Sequence, residues 1–264
     1  MAMSKIITLL TDFGDRDVYV GVMKGTIAQI DPELTTIDLT HQIPPQNLLA
    51  AKFALLNAYP YFPPDTVHIV VVDPGVGSSR RSIAVKLNNG YVVCPDNGLC
   101  SGVLDRAISA VELTNTNYWR VPEPSSTFHG RDIFAPVGAY LAKGVPLTNF
   151  GKAIDLASII QLDLPEVEIS RSQITGSIQY IDHFGNLITN IPAKLLLGKS
   201  WQVQIDRQAI NSGNTYSDVP QGKAVSLIGS HGWVEIALNG GNASTELNLT
   251  WRDRIQITVN IQNI

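Results

Sequence analysis

The 264-residue sequence has few cysteines, few charged residues and no long apolar segment. Two cysteines, Cys94 and Cys100, are too few for a disulfide framework, and their spacing is not that of a metal site. No apolar run approaches the roughly 20 residues of a membrane-spanning helix. Charged residues make up only 16% of the chain and hydrophobic residues 44%, a balance that is not that of a disordered protein. We therefore expect a globular protein with a large buried core and no membrane partner.

The sequence also lacks an excess of positive charge, since 19 Lys and Arg stand against 23 Asp and Glu, a net charge of −4. Proteins that bind nucleic acids usually carry a basic surface, so no nucleic-acid partner is expected. The first apolar run, Ile6–Leu10, is shorter than the apolar region of a secretory signal. It predicts a first β-strand, and the protein is expected in the cytoplasm.

The first half of the sequence alternates predicted strands and helices. The predicted strands are Ile6–Thr11, Thr36–Leu39, Val67–Val72, Ser82–Leu87 and Tyr91–Cys94, and the predicted helices are 18–30, Leu48–Tyr59 and Asp132–Lys143. The Val67–Val72 run carries β-branched residues on both faces, which is typical of a parallel strand buried between helices. The turn Asn88-Asn89-Gly90 predicts a hairpin. These elements predict an α/β domain with a mostly parallel sheet.

From about residue 172 the pattern changes to short alternating segments separated by turns rich in Gly, Asn, Asp and Ser. These segments are Ile174–Ile181, Leu187–Ile191, Trp201–Ile205, Ala224–Ile228, Val234–Leu238 and Arg254–Val259. Their near-regular spacing predicts a small antiparallel barrel or sandwich. A polar, aperiodic stretch around Leu164-Pro165 separates the two patterns, so we predict an N-terminal domain at 1–165 and a C-terminal domain at 172–264.

Three of the predicted strands carry or precede an acidic residue near their carboxyl ends, namely Asp12, Asp38 and Asp73. Ligands of open parallel sheets bind at this edge. Asp73 opens a glycine-containing loop that closes with Arg80 and Arg81, and glycine lets backbone approach a ligand closely. Turn formation alone would also explain Asp12 and the Asp-Pro-Gly sequence.

A histidine and two clusters of polar residues complete the candidates. His129 precedes a predicted helix start, where unpaired N–H groups favour an anion, although a lone histidine is more often a surface or capping residue. The segment 180–190 combines an acid, an aromatic ring and asparagine amides, which is what a purine site needs, or else it is a polar hairpin. No nucleophile elbow, phosphate-binding loop or dinucleotide fingerprint occurs in the sequence.

Five short strings together resemble the S-adenosylmethionine hydroxide adenosyltransferases, which are relatives of the fluorinase and chlorinase. The strings are Thr11-Asp12-Phe13-Gly14, Val72-Asp73-Pro74-Gly75-Val76-Gly77, Pro95-Asp96-Asn97-Gly98, Phe128-His129-Gly130-Arg131-Asp132 and Asp182-His183-Phe184-Gly185-Asn186. The resemblance covers essentially the whole chain. It implies a Rossmann-like α/β domain followed by a β-barrel domain, and a homotrimer whose active sites lie between the N-domain of one subunit and the C-domain of the next.

The same resemblance implies roles for individual residues. The reacting group falls on Asp73, Arg80 and His129, and the residue that holds the ribose hydroxyls falls on Asp12. The residues that match those around the methionine portion are Asp182, Ser230 and Glu235. The residues that match those around the adenine are Phe184, Asn186, Tyr216 and Ala243. His231, which follows Ser230, matches no assigned residue.

The implied reaction is attack of water or hydroxide at C5′ of S-adenosyl-L-methionine, giving adenosine and L-methionine without a metal or cofactor. Fluorinases carry Tyr-Ser where this chain has His129-Gly130, which favours water over halide. Which of Asp73 and His129 accepts the proton, or orients Arg80, stays open. Three alternatives remain: a halogenase, a metal-dependent phosphohydrolase, and a non-catalytic sensor of the nucleoside. The phosphohydrolase would use Asp12, Asp38, His41, Asp73 and His129 as ligands.

Overall fold

The computed structural model describes residues 5–162, 165–205 and 208–260. The chain divides into two compact units, Met1–Leu162 and Asp163–Ile264. Leu164, beside the predicted domain boundary, lies outside the described residues. Within them, no helix has both the length and the apolar character that crossing a membrane requires.

The N-terminal unit is built on a seven-stranded sheet. Its strands are β1 (Ile6–Thr11), β2 (Thr35–Thr40), β3 (Thr66–Val71), β4 (Ser82–Leu87), β5 (Gly90–Pro95), β6 (Ala107–Leu113) and β7 (Gly151–Ile154), and its α-helices are α1 (Tyr19–Ile30), α2 (Leu48–Ala58) and α3 (Ala135–Ala142). The strand order is β2-β1-β3-β5-β4-β6-β7. The first four strands in that order pair in parallel, whereas β4 is antiparallel to β5 and β6, and β7 to β6. The predicted α/β domain is thus confirmed, and its sheet is mixed, with three parallel and three antiparallel strand pairings.

Strand β3 lies at the centre of this unit. All six of its residues are buried, and it pairs in parallel with both β1 and β5, as its β-branched pattern predicts. Helix α3 packs closely on it because Gly138 has no side chain: a β-carbon there would lie 2.4 Å from Cδ1 of Ile69. This close contact brings the segment before α3 towards the carboxyl end of β3.

The segment predicted as a helix from Asp132 begins differently in the structure. Gly130–Phe134 forms a π-helix, and the regular α-helix α3 starts only at Ala135. Pro136 has no N–H to donate to the carbonyl of Asp132, four residues earlier, and this carbonyl accepts a 2.9 Å bond from the N–H of Arg120 instead. π-Helical turns are often found at functional sites, and this one directly follows His129.

The C-terminal unit is an antiparallel barrel. Its strands are β8 (Glu168–Ile169), β9 (Gln173–Ile181), β10 (Leu187–Pro192), β11 (Ser200–Ile205), β12 (Gln208–Asn211), β13 (Ala224–Ile228), β14 (Trp233–Leu238) and β15 (Arg254–Asn260), with one short helix, α4 (Ala243–Glu246). The main order is β12-β11-β15-β9-β10-β14-β13. A bridge between Ser212 and Ser226 joins the two ends of this order, so the sheet closes around its apolar core. Of the predicted alternatives, the barrel is confirmed.

Candidate active site

Asp73, Arg80 and His129 form one hydrogen-bonded group in the N-terminal unit. Asp73 lies two residues beyond β3, and Arg80 lies two residues before β4. Nε of Arg80 is 3.0 and 3.1 Å from the two carboxylate oxygens of Asp73, and Nη2 also donates to Oδ2. The same Nη2 lies 2.7 Å from Nδ1 of His129. The side chains of Arg80 and Asp73 are only 9% and 5% exposed, so this is a buried, two-pronged ion pair.

Three further contacts hold Arg80, and the sequence analysis found none of them. Nη1 donates to Oγ of Ser82 at 2.7 Å and to the carbonyl of Arg81 at 3.4 Å. The guanidinium lies over the ring of Phe134, 5.4 Å from its centroid. Each of the three nitrogens of Arg80 therefore donates within the protein, which fixes the charge in one place. Neither Ser82 nor Phe134 belongs to a recognisable motif.

The contact with Arg80 determines the proton positions on His129. A guanidinium only donates, so Nδ1 of His129 is the acceptor, and the proton of the neutral imidazole is on Nε2. Burial lowers the pKa of His129, and the nearby charge of Arg80 lowers it further. His129 is therefore neutral at neutral pH.

A buried carboxylate, Asp132, fixes the segment that carries His129. It accepts hydrogen bonds from the side chains of Arg120 and Arg131 and from the backbone N–H of Ser125. Burial alone would raise the pKa of Asp132, but these hydrogen bonds outweigh it and hold the pKa below its usual range. Asp132 is fully buried and stays charged, which ties both ends of the segment 125–132 together.

Asp12 lines a small cavity of about 150 Å³ together with Asp73 and His129. Asp12 follows β1, and its Oδ2 accepts a 2.9 Å bond from the backbone N–H of Gln46, a residue with φ of 64°. Asp12, Gln46, Asp73, Phe128, His129 and Gly130 are among the lining residues. Two of the three acids predicted near strand ends, Asp12 and Asp73, are thus brought together with His129.

A second cavity, of about 400 Å³, lies in the C-terminal unit. Phe184, Asn186 and Tyr216 line it together with Leu238, Gly240 and Gly241. Asp182 shapes its edge by accepting 2.9 Å bonds from the backbone N–H groups of Phe184 and Asn186 and from the amide of Asn186. The cavity thus has the aromatic faces and the amide that a purine site needs.

The other candidates of this unit lie around that cavity in different ways. Glu235 is 4% exposed and accepts a 2.8 Å bond from the hydroxyl of Tyr216. Burial and the charge of Glu235 raise the pKa of Tyr216 to about 12. Ser230 is exposed in the turn between β13 and β14. Ala243 does not line the cavity surface: it is completely buried in the barrel core at the start of α4.

The remaining metal-ligand candidates are engaged in a separate network. Asp38 lies 2.6 Å from Nζ of Lys24 and 3.1 Å from Nε2 of His41, and Nδ1 of His41 is 2.8 Å from Oγ1 of Thr11. In the part of the chain that the structure describes, no group of three or more His, Cys, Asp or Glu side chains is arranged to hold a metal ion.

Family models match both units of the chain. The SAM hydroxide adenosyltransferase N-terminal domain matches residues 7–151, and the corresponding C-terminal domain matches residues 176–256. The chain belongs to the SAM hydroxide adenosyltransferase family.

Relatives with curated names agree with this family. The chain is 38% identical to the (R)-S-adenosyl-L-methionine hydrolase of Salinispora tropica, over 98% of this chain and 99% of that protein. The enzyme of the same name from Thermus thermophilus is 36% identical over 91% of this chain and 94% of that protein. The fluorinase of an Actinoplanes species is more distant, at 28% identity over 92% of this chain and 94% of that protein.

The family resemblance extends to the three-dimensional structure. The crystal structure of an uncharacterized conserved protein from Thermotoga maritima superposes with a TM-score of 0.89 at 37% identity, covering 95% of this chain and 99% of that one. The two-domain fold of this family member is therefore shared with an experimentally solved chain over nearly its whole length.

Proposed function

We propose that this family member hydrolyses S-adenosyl-L-methionine to adenosine and L-methionine. The observation that carries the proposal is the buried Asp73–Arg80–His129 group, two of whose members line the same cavity as Asp12. Asp12 would hold the ribose hydroxyls there, and the cavity of Phe184, Asn186 and Tyr216 would hold the adenine. Asp182, Ser230 and Glu235 are proposed to surround the methionine portion.

The difficult part of this reaction is making the nucleophile. A sulfonium leaves as a neutral thioether, so its departure needs no general acid or Lewis acid. Water is a poor nucleophile, and a fixed positive charge beside it favours hydroxide. Arg80 supplies that charge, buried between Asp73 and His129. Holding the water in line with C5′ and sulfur then lowers the entropic part of the activation barrier.

The geometry supports different roles for Asp73 and His129. Nδ1 of His129 accepts a hydrogen bond from Arg80 and cannot take a proton from water while it does so. We assign to His129 the orientation of Arg80. Asp73 lines the cavity and has oxygen atoms with further lone pairs, so we assign to it the acceptance of the proton.

The packing around Gly130 supports water over halide as the nucleophile. A β-carbon at this position would lie 3.2 Å from Sδ of Met23 and 3.3 Å from the ring of Phe128. A serine hydroxyl of the kind that fluorinases carry here would need these side chains to move. Without that hydroxyl, a halide ion would lose one hydrogen-bond donor that the fluorinases provide.

Chromatography of S-adenosyl-L-methionine after incubation with the pure protein tests the proposed function. We expect adenosine and methionine in equal amounts, unchanged by EDTA and by excess chloride or fluoride. Recovery of intact substrate would favour the sensor, and 5′-halo-adenosine the halogenase. Loss of turnover in EDTA that one metal restores would instead favour metal-dependent hydrolysis.

We further propose that the working form is a cytoplasmic homotrimer with each site shared by two subunits. Cavities that hold small ligands usually measure roughly 300–1,000 Å³. The cavity beside Asp73 is about 150 Å³, too small for a nucleoside-sized substrate by itself. The cavity of the C-terminal unit, about 400 Å³, would supply the missing surface from a neighbouring subunit. Neither Cys94 nor Cys100 is in a disulfide, which agrees with a cytoplasmic location.

Subunit mixing tests the shared site. His129→Ala and Asn186→Ala chains should each be inactive, because each substitution impairs one half of every shared site. After exchange, some interfaces in mixed trimers contain two unmutated halves, so part of the activity should return. Activity is measured after exchange has been verified by mass spectrometry. A fully active monomer in sedimentation, or no recovery after verified exchange, would mean that one chain holds a complete site.

A further inference from the structure

The turn between β13 and β14 is shaped around His231. The imidazole folds back over Gly229, where a β-carbon would lie 2.4 Å from ring atoms Cε1 and Nε2 and 2.6 Å from Oε2 of Glu235. Backbone bonds from Gly229 to Trp233 (3.0 Å) and from Gly232 to Gly229 (2.9 Å) close the turn. Only glycine at position 229 leaves space for this ring position.

The hydrogen bonds of His231 have a defined direction. The backbone N–H of Trp233 donates to Nδ1 of His231 at 3.2 Å. Nδ1 is therefore the acceptor, and the proton of the ring is on Nε2, which lies 3.1 Å from Oε2 of Glu235. His231 thus donates to Glu235, and this contact fixes the rotamer of a carboxylate that is almost completely buried.

The other oxygen of Glu235 holds Tyr216. Oε1 accepts the 2.8 Å bond from the tyrosine hydroxyl, so Tyr216, Glu235 and His231 form a continuous chain of hydrogen bonds. Tyr216 belongs to a single 3₁₀ turn, Tyr216–Asp218, and the residue is 44% exposed. A ring on a short exposed turn has little packing to fix it, so the bond to Glu235 is its main restraint.

We propose that His231 is a positioning residue for substrate binding: through Glu235 it holds Tyr216 as one wall of the cavity in the C-terminal unit. This inference rests on the proposed function, because it assumes that the cavity receives the adenosyl group. It also gives a reason for the histidine beside Ser230, since the same ring holds the turn that carries Ser230.

Two substitutions of His231 separate positioning from folding. In His231→Ala, we expect KM for S-adenosylmethionine, and the dissociation constant of adenosine measured by calorimetry, to rise roughly tenfold, the effect of losing one hydrogen bond to a charged group. The value of kcat should stay within about twofold. His231→Gln should restore most of the affinity, because its amide nitrogen can donate to Glu235.

A double variant tests whether the effect passes through Glu235. Tyr216→Phe should weaken binding in the same way, and His231→Ala/Tyr216→Phe should bind about as well as the weaker single variant. Glu168→Gln, which removes an exposed carboxylate paired with Arg254 in the same unit, is the matched control and should bind normally. Unchanged affinity in His231→Ala, additive effects in the double variant, or a fall confined to kcat would overturn the inference.

Amide hydrogen exchange in the ligand-free protein keeps the test independent of activity. In His231→Ala, exchange at Asp218, whose N–H bonds the carbonyl of Thr215 at 3.2 Å, should become at least several-fold faster than in the unmutated protein. Unchanged exchange would overturn the positioning role. If the unmutated protein leaves S-adenosylmethionine intact, the proposed function fails, while the exchange experiment still decides the role of His231.

Discussion

Replacing Arg80 with alanine should lower kcat by roughly 10²-fold or more, with a much smaller change in the affinity for S-adenosylmethionine. The electrostatic attraction between this cation and the attacking oxygen strengthens as negative charge develops there, so it stabilises the transition state more than the bound substrate. An ion pair in water would contribute under about 1 kcal/mol, but the pair of Arg80 and Asp73 is shielded from water. Arg80→Lys keeps the positive charge without the bidentate contact to Asp73, and its kcat should lie between those of the unmutated protein and Arg80→Ala.

Arg81 is the matched control because the next side chain along points elsewhere. Its guanidinium pairs with buried Asp96 and donates to Ser158. The bond from Arg80 goes to the main-chain carbonyl of Arg81, which alanine keeps. Arg81→Ala should lower the melting temperature and leave kcat per folded molecule within about twofold, whereas Asp12→Ala should raise KM. Both kcat and affinity are measured for each variant. An unchanged kcat in Arg80→Ala would contradict the proposed role of Arg80 in forming hydroxide.

The second large effect concerns stability in mild acid and depends on His68. This residue of β3 is completely buried, with Nδ1 2.7 Å from Oγ1 of Thr8 and the ring between those of Tyr59 and Phe62. Burial lowers its pKa from 6.5 to about 4. Below pH 6.5 the unfolded chain therefore takes up a proton that the folded chain does not. We expect His68 to reduce the unfolding free energy by about 3 kcal/mol between pH 6.5 and pH 4, and to have no such effect above pH 6.5.

The variant Thr8→Val/His68→Phe should lose this part of the pH dependence. It replaces both hydrogen-bonding partners with apolar groups, so that neither partner is left buried and unpaired. Thr8→Val alone keeps the imidazole and should keep the slope, although its stability is lower at every pH. The measurement is the opening free energy of β1 and β3 amides from hydrogen exchange between pH 4 and 7. If the unfolding free energy falls equally with pH in the double variant and the unmutated protein, His68 does not cause the loss of stability in acid.

The sequence predicts those parts of the fold in which one pattern decides the structure. The run at Val67–Val72 predicts a strand that is buried on both faces, and β3 is that strand. The hairpin turn at Asn88-Asn89-Gly90 likewise joins β4 and β5. In contrast, β6, β7, β8 and β12 were not predicted. Of these, β7 and β12 are four-residue strands at the ends of their sheet orders, and β8 has only two residues. Their formation depends on pairing with distant segments.

The same distinction applies to the candidate site. Asp12, Asp38 and Asp73 were expected at one sheet edge because chain topology brings the ends of parallel strands together. Asp12 and Asp73 line one cavity, whereas Asp38 pairs with Lys24 and His41 instead. The π-helix after His129 could not be predicted from the local pattern. It depends on Pro136, which cannot donate to the carbonyl of Asp132, and on the N–H of Arg120, which donates to that carbonyl from outside the helix. The bond between His129 and Arg80 also depends on tertiary structure, and with it the proton position on the imidazole.

Gly77 has a consequence for any attempt to re-engineer this enzyme. With φ of 77°, its α-carbon touches the neighbouring backbone so closely that a β-carbon would lie 2.3 Å from the carbonyl oxygen of Ser126. Backbone therefore packs directly on backbone here, without an intervening side chain. One of the two segments is the loop that carries Asp73 and Arg80, and the other carries His129. Segments 73–81 and 125–130 must therefore be exchanged together when they are replaced by those of a halide-using relative. Replacing only one of them would place its backbone against a segment with which it does not pack.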